Sequence, residues 1–409
     1  MFQVIRKWVR VGYNNVITSI AFLPAIIALS FLALSFVMVN FDFSEAGRSI
    51  KLNLHWLSLK DASTARSICS SIVSGIISLA VFSFSMVMIL LSQAAGEMSN
   101  RILGKLISNH FQQVVLGFYI GTIVYALFLL STIRDIDSGI FVPAISTYLL
   151  ITLTVIDIFL FIYFLHYITH SVKFETIIHK IFADTKDESK KNCKMEIMPA
   201  GIPFPVNTRE INAYKSGLYQ GFKKDNLLEV CKKDDAVVAF LYPVGTYVIE
   251  DTPLLIITHK KDLSKDFEEK LQVQIDIGKG QDIDKSFYYG FRQLMEIGIK
   301  ALSPGINDPG TATISLHALG DLLAYRLVHF PQAGFKDDSG VIRIVTKEKT
   351  FEEMFEEYIL PIWDYGKNDR LVQHEMFHIL TLLRKRGEQP IINKLLEAVR
   401  LAIKETESY

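Results

Sequence analysis

Residues 67–96 read SICSSIVSGIISLAVFSFSMVMILLSQAAG, without one Asp, Glu, Lys or Arg. Crossing a hydrocarbon core takes about 20 mostly apolar residues, so this run is long enough to be a transmembrane helix. Its small residues are also ordered. Taking ~100° per residue, Ser71, Ser74, Gly75, Ser78, Ser85 and Ser92 fall within about 60° of one helix face, and Ser67 and Gly96 extend it. Only Phe82 and Ile89 interrupt that stripe between Ser71 and Ser92.

Three more spans are read on either side of it. Residues 16–39 lie in a charge-free interval between Arg10 and Asp42. This run is longer than the apolar core of a secretory signal and has no small-residue cleavage site, so a retained anchor is expected. Residues 114–133 and 141–165 are the third and fourth spans, and Asp157 is the only charge in the fourth. Pro24 and Pro143 stand near the beginnings of their spans, where proline is tolerated. Basic residues near the span ends divide into Arg6, Lys7, Arg10, Arg101, Lys105, Lys173 and Lys180 on one side and Arg48, Lys51, Lys60, Arg66 and Arg134 on the other. That bias favours both termini in the cytoplasm. In the external segment 40–66, Leu52, Leu54 and Trp56 followed by Leu57 and Leu59 suggest a stretch lying at the interface.

The whole chain of 409 residues balances 43 Lys and Arg against 43 Asp and Glu, with 50% hydrophobic and 21% charged residues. Those averages conceal two different halves. Residues 1–172 carry 10 basic and 7 acidic side chains, and the remainder carries 33 and 36. A disordered chain, a secreted disulfide scaffold and a basic nucleic-acid binder are thereby excluded. Cys69, Cys193 and Cys231 are too few and too scattered for a zinc site or a disulfide framework.

Beyond the fourth span, Ile177, Ile178, Ile181 and Phe182 keep helical spacing, and residues 183–194 are polar enough to serve as a linker. Short β-prone runs follow at 236–242, 247–249, 254–258 and 273–277, separated by turn signals such as Pro243-Val244-Gly245 and Asp251-Thr252-Pro253. A short helix near 226–232 could be capped by Asp225. From Ser286 the period is helical again: Phe287, Phe291, Leu294, Met295, Gly298, Ala301 and Leu302 share one face. Thr350-Phe351-Glu352-Glu353 is a capping box. A further helix over 369–386 ends in Arg384-Lys385-Arg386 and stops at Gly387, and a last one spans about 390–405.

Four groups of residues could carry function. The small-residue stripe suits close packing of transmembrane helices. It equally suits a pore wall in which serine hydroxyls solvate an ion and Phe82 or Ile89 forms an apolar constriction. Asp157 is an ionisable residue inside a span, costly unless it faces a partner or water, and suggests ion or proton handling; a hydroxyl on a neighbouring helix could instead satisfy it. His166 and His170 are one helical turn apart, but no third ligand is near, so an interfacial role is expected and no metal. In Ser303-Pro304-Gly305-Ile306-Asn307-Asp308-Pro309-Gly310-Thr311, Asp308 is expected as N-cap, Pro309 as first helical residue and Gly305 at a backbone angle other residues resist. The polar groups of Ser303, Asn307, Asp308 and Thr311 could alternatively receive a small ligand at the helix N-terminus. Walker loops, dinucleotide fingerprints, zincin helices and nucleophile elbows are not found, so neither an enzyme nor a cofactor is expected.

Three of these blocks resemble the bacterial predicted membrane proteins called domain of unknown function 2254. They are Gln113-Val114-Val115-Leu116-Gly117, the run from Tyr163-Phe164-Leu165-His166 to His170-Ser171, and Ala301 to Ala312 with its Ser-Pro-Gly-Ile-Asn-Asp-Pro core. With the stretch 214–220 and the β-rich region, the likeness covers roughly residues 15–330. It implies four membrane spans followed by a cytoplasmic C-terminal half, and it supplies no activity. Within the β-rich part, Gly245-Thr246-Tyr247-Val248 and Thr252-Pro253-Leu254 also resemble the barrel-sandwich unit of biotinyl and lipoyl domains. No hairpin lysine accompanies them, which points to an assembly or docking module.

The expected architecture is therefore an α-helical membrane domain of four transmembrane helices (1–172), a linker helix with a small β barrel-sandwich-like domain (173–285), and a helical cytoplasmic domain (286–409). The expected function is a homo-oligomeric channel or transport-like protein in the lipid bilayer, passing a small ion and gated by its cytoplasmic part. The alternative is a membrane-anchored sensor or scaffold that binds a small ligand or partner at the Asn307-Asp308 turn.

Overall fold

The computed structural model describes residues 21–53, 59, 61–97, 110–133, 142–171, 173–195, 209–259, 266–280 and 282–407. The chain forms two compact units, divided at residues 173 and 174. In the first unit α1 (Phe22–Phe43), α3 (Ala62–Glu97), α4 (His110–Thr132) and α5 (Ala144–Ser171) are long and apolar enough to cross a membrane, and a short α2 (Glu45–Asn53) follows α1. The start of the expected first span, at 16–20, lies outside the described residues. So do Leu54, Trp56 and Leu57 of the expected interfacial stretch, and Arg6, Lys7, Arg10, Lys60, Arg101, Lys105 and Arg134 of the orientation count.

Two devices hold the spans together. Gly117 and Gly121 of α4 face α1 so closely that a Cβ on Gly117 would stand 2.6 Å from the Ile27 side chain, and one on Gly121 would stand 2.7 Å from the Phe31 ring. This Gly-x-x-x-Gly spacing lets two helix backbones approach where lipid supplies no hydrophobic drive. The second device is Asp42, fully buried near the end of α1. Its carboxylate accepts hydrogen bonds from the backbone N–H groups of Ile145 (3.2 Å) and Ser146 (2.7 Å) and from the Ser146 hydroxyl (2.5 Å). Lys51 of α2 pairs with it at 3.0 Å. An acidic side chain distant in sequence thus caps the N-terminus of α5, where N–H groups lack helical partners and the helix dipole favours negative charge.

The second unit opens with α6 (Phe174–Asn192), followed by β1 (Arg209–Asn212), β2 (Gly217–Phe222), α7 (Lys224–Lys233), β3 (Ala236–Phe240), β4 (Tyr247–Val248), β5 (Pro253–His259), α8 (Phe267–Gln272) and β6 (Ile275–Gly278). Then come α9 (Tyr288–Ala301), α10 (Pro309–Arg326), β7 (Gly334–Lys336), β8 (Ile342–Val345), α11 (Phe351–Tyr358), α12 (Leu360–Gly366), α13 (Arg370–Arg386) and α14 (Pro390–Glu407). The expected barrel-sandwich does not form: no barrel closes among the described residues. Instead a five-stranded sheet runs β1-β5-β3-β8-β7 beside a three-stranded sheet β4-β2-β6. The two meet where Tyr219 and Phe222 stack on Phe240 at 5.1 and 4.9 Å between ring centroids. The likeness in the 238–257 stretch failed because β3 takes β8, from far along the chain, as its parallel neighbour, with Val238 opposite Ile344.

Two local expectations are also corrected. Residues 183–194 are not a linker: α6 continues to Asn192 and buries Ile177, Ile178, Ile181, Thr185 and Ser189. Its close approach to α9 uses Gly290, where a Cβ would collide with the Thr185 hydroxyl. Asp225 does not cap its helix, because Lys223 occupies the cap position and Asp225 sits in the first turn, where its charge still suits the dipole. The Thr350 capping box is present as expected, and Asp369, read as the first residue of its helix, caps it by accepting from the Val372 N–H.

The β7–β8 turn is tied down by Asp337, which accepts hydrogen bonds from the Ser339 and Val341 N–H groups and from Arg343 Nε at 2.8 Å. Arg343 also reaches Asp235, at the turn before β3, at 2.7 Å. The Arg343 guanidinium holds the Asp337 carboxyl well below the usual carboxylate range. Its stabilisation is therefore present above the unfolded value of about 3.9 and is lost as pH falls toward the folded value. Thermal midpoints recorded as the pH is lowered from about 5 should fall more steeply for wild type than for Asp337→Asn. At the membrane end, Asp42→Ala should cost about 3–5 kcal/mol in detergent-solubilised unfolding, because it strands Lys51 and uncaps α5. A double-mutant cycle with Lys51→Met should return a coupling of roughly 0.5–3 kcal/mol.

Candidate functional site

The first unit contains a group of buried polar side chains contributed by three of its spans. Asp157 on α5, Tyr119 and Thr122 on α4 and Ser83 on α3 are all more than nine-tenths buried. Neither carboxylate oxygen of Asp157, nor the hydroxyls of Ser83, Tyr119 and Thr122, has a hydrogen-bond partner among the described residues. The groups are neighbours nonetheless. Thr122 is the hydroxyl that faces Asp157, and the Tyr119 hydroxyl lies near both Ser83 and the Asp157 carboxylate. An unsatisfied buried polar group costs about 1–3 kcal/mol, and more when charged, so four together are a substantial cost for this bundle to carry.

Helix phase produces the cluster. On α4, with ~100° per residue, Gly117 and Gly121 point toward α1, while Tyr119 and Thr122 lie about 120–180° round the helix. On α3 the inward residues are Ala65, Cys69, Ile76 and Ser83. A cavity of about 230 Å³ opens between α3, α4 and α5, and Ser83, Val87, Val115, Tyr119 and Phe164 line it. Gln112 and Gln113, in the first turn of α4, line it too. Seven residues of helix separate Gln112 from Tyr119, about 10 Å along the axis, so the cavity runs from the start of α4 to the Ser83 and Tyr119 edge of the cluster, between mainly apolar walls that include Phe84 and Met88.

The sequence-derived candidates fall elsewhere, except Asp157. Ser71, Ser74, Gly75, Ser78, Phe82, Ser85, Ile89 and Ser92 are all exposed on the outside of the four-span unit. A Cβ on Gly75 would meet nothing within 4 Å, and Ser78 Oγ donates to its own helix at the Ser74 carbonyl, 2.9 Å away. Phe82 rests edge-on against Phe161 of α5 at 5.8 Å. His166 and His170 are exposed with ring centroids 4.6 Å apart, and no group of three metal-ligating side chains occurs among the described residues. Ser83 was missed because it stands off the stripe. The signal available for it was the inward phase of Ala65, Cys69 and Ile76.

In the 303–311 turn, Ser303, Asp308 and Thr311 are all engaged in local hydrogen bonds. Asp308 caps α10, accepting from the Thr311 N–H at 3.1 Å and the Thr311 hydroxyl at 2.5 Å, with Pro309 in the first turn. Ser303 Oγ donates to the Lys300 carbonyl at 2.7 Å. Gly305 does not hold the unusual backbone angle; Asn307 does, at φ 49°. Asparagine enters that region more readily than most side chains, which relieves Gly305 of that role.

Four apolar spans preceding a mixed helical and sheet unit define an integral membrane protein. The chain belongs to the family described as "Predicted membrane protein (DUF2254)", whose model matches residues 17–382. Among curated proteins it is similar to uncharacterised proteins of Mycobacterium bovis and Mycobacterium tuberculosis, 24% identical over 323 residues, or 75% of this chain. The match covers 61% of those relatives' own length. No solved structure matches the chain.

Removing the cap with Asp308→Ala should lower stability by about 1 kcal/mol. Asn307→Gly should leave it unchanged or slightly raised, whereas Asn307→Val should cost on the order of 1–2 kcal/mol through the left-handed backbone. Chemical unfolding of the full chain monitors all three.

Proposed function

We propose that the protein is a homo-oligomeric, channel-like protein of the bacterial inner membrane. In this reading the Ser/Gly face of α3 meets the same face of other copies around a path for a small ion. Both termini lie in the cytoplasm, and the second unit assembles or gates the ring. The observation that supports this is the contrast between two sets of small residues. Gly117 and Gly121 are consumed by the α1–α4 seam, while Gly75 and the serines around it are left uncovered by the described residues. Small residues on a transmembrane helix permit close helix contact, and a serine-lined face can also solvate an ion. Phe82 and Ile89, exposed on the same face, supply the apolar positions at which a pore closes by dewetting. The positive-inside bias supports the orientation.

Ion flux into liposomes containing the purified full chain tests this reading. Wild type should conduct, and Ser78→Leu should cut flux severalfold with an unchanged thermal midpoint. Wild-type flux in correctly folded Ser78→Leu, or no flux from wild type across several ions, would remove the α3 face from consideration as a pore.

A further inference from the structure

We infer that Asp157, Thr122, Tyr119 and Ser83 form an intramembrane binding site for a small monovalent cation, reached through the cavity that begins at Gln112 and Gln113. The site lies inside one chain's own helices and does not rest on the oligomeric reading of α3.

These side chains are set apart by what they lack. Four buried groups from three spans hold five oxygen atoms without a hydrogen-bond partner, in a region where water cannot compensate them freely. Bundles that enclose such groups ordinarily satisfy them with one another; here Thr122 approaches Asp157 and Ser83 approaches Tyr119, yet none of the five oxygens attains full hydrogen-bond geometry. Their chemistry is uniform, since every atom is an oxygen. A carboxylate with three hydroxyls is a hard donor set, suited to alkali cations and unsuited to the softer transition metals. The charge count then selects among hard cations. Asp157 is the one carboxylate, and neither Lys nor Arg is among the groups that act on it. Tyr119 is the other titratable group facing it. One negative charge matches one positive charge, whereas calcium sites gather six to eight oxygens, commonly from several carboxylates, and magnesium demands near-ideal octahedral geometry.

The cavity supplies the remaining requirement, a route. Ser83 and Tyr119 belong both to the cluster and to the wall of the 230 Å³ space, so a cation entering beside Gln112 and Gln113 meets their hydroxyls before it reaches Asp157.

Thermal unfolding of the full chain in detergent, at constant ionic strength and pH, tests the site with NaCl, LiCl or KCl against choline chloride. At least one alkali cation should raise the midpoint in a saturable manner, as a ligand of the folded state does. Asp157→Asn should abolish the shift. Thr122→Val and Ser83→Ala, which remove single donors with little change of shape, should weaken apparent affinity by about tenfold or less each. These two keep the test decisive should Asp157→Asn fail to fold. Ser78→Leu, on the outer face, should bind as wild type does, which separates this site from the pore reading. Identical midpoints in all four salts would overturn the proposal. So would a cation shift that survives in Asp157→Asn, or one unaltered in both Thr122→Val and Ser83→Ala. A midpoint that responds to pH alone would also overturn it, leaving a protonated carboxyl rather than a cation site.

Discussion

The seam between α1 and α4 sets the geometry of the membrane unit. In an apolar medium helices associate through close packing and polar contacts, because lipid is as apolar as the side chains it would replace. Gly117 and Gly121 remove the bulk that would keep α4 from Pro24, Ile27 and Phe31. Once that face of α4 is fixed against α1, helix phase turns Val115, Tyr119 and Thr122 toward α3 and α5. The cavity and the unsatisfied oxygens follow from the rotation of α4. Asp42 then fixes α5 from its own end by supplying the cap that its first N–H groups lack.

The spans were legible because long charge-free runs have few other uses. Their neighbours were not, since composition reports that a helix is apolar but not which side faces which partner. Asp157 stood out as a charge inside a span, yet Ser83, Thr122 and Tyr119 carry no comparable mark. Asp42 marked only the end of an apolar run, although its more consequential partner is the N-terminus of a helix about a hundred residues later. In the second unit, the caps at Thr350 and Asp308 were legible because their signal is local, although the equally local readings of Asp225 and Gly305 each missed by a residue or two. Strand pairing was not legible, because β3 finds β8 only after the chain has passed through α9 and α10.

The 303–311 turn shows why a specific sequence run need not mark a ligand site. Its residues serve the fold directly, for Ser303 bonds back to α9, Asn307 takes the left-handed backbone, and Asp308 and Thr311 close the first turn of α10. Such a run is demanding because it must end one buried helix and start another within a few residues. Leu294 and Ile297 of α9, and Leu316 and Leu319 of α10, are buried on either side of it.

Helix α3 unites the two functional readings while keeping them physically apart. At ~100° per residue, Ser83 and the other inward residues lie about 150° round the helix from the centre of the Ser/Gly stripe. The inner face meets α4 and α5 through Ile76 and Ser83, whereas the outer face is exposed along the stripe and touches α5 at its margin, where Phe82 meets Phe161. A rotation of α3 about its axis would disturb both faces together, moving Ser83 relative to Tyr119 and Phe82 relative to Phe161. Occupancy at the inner oxygens and packing on the outer face would then bias the same rigid element, which is the physical requirement for one site to influence the other.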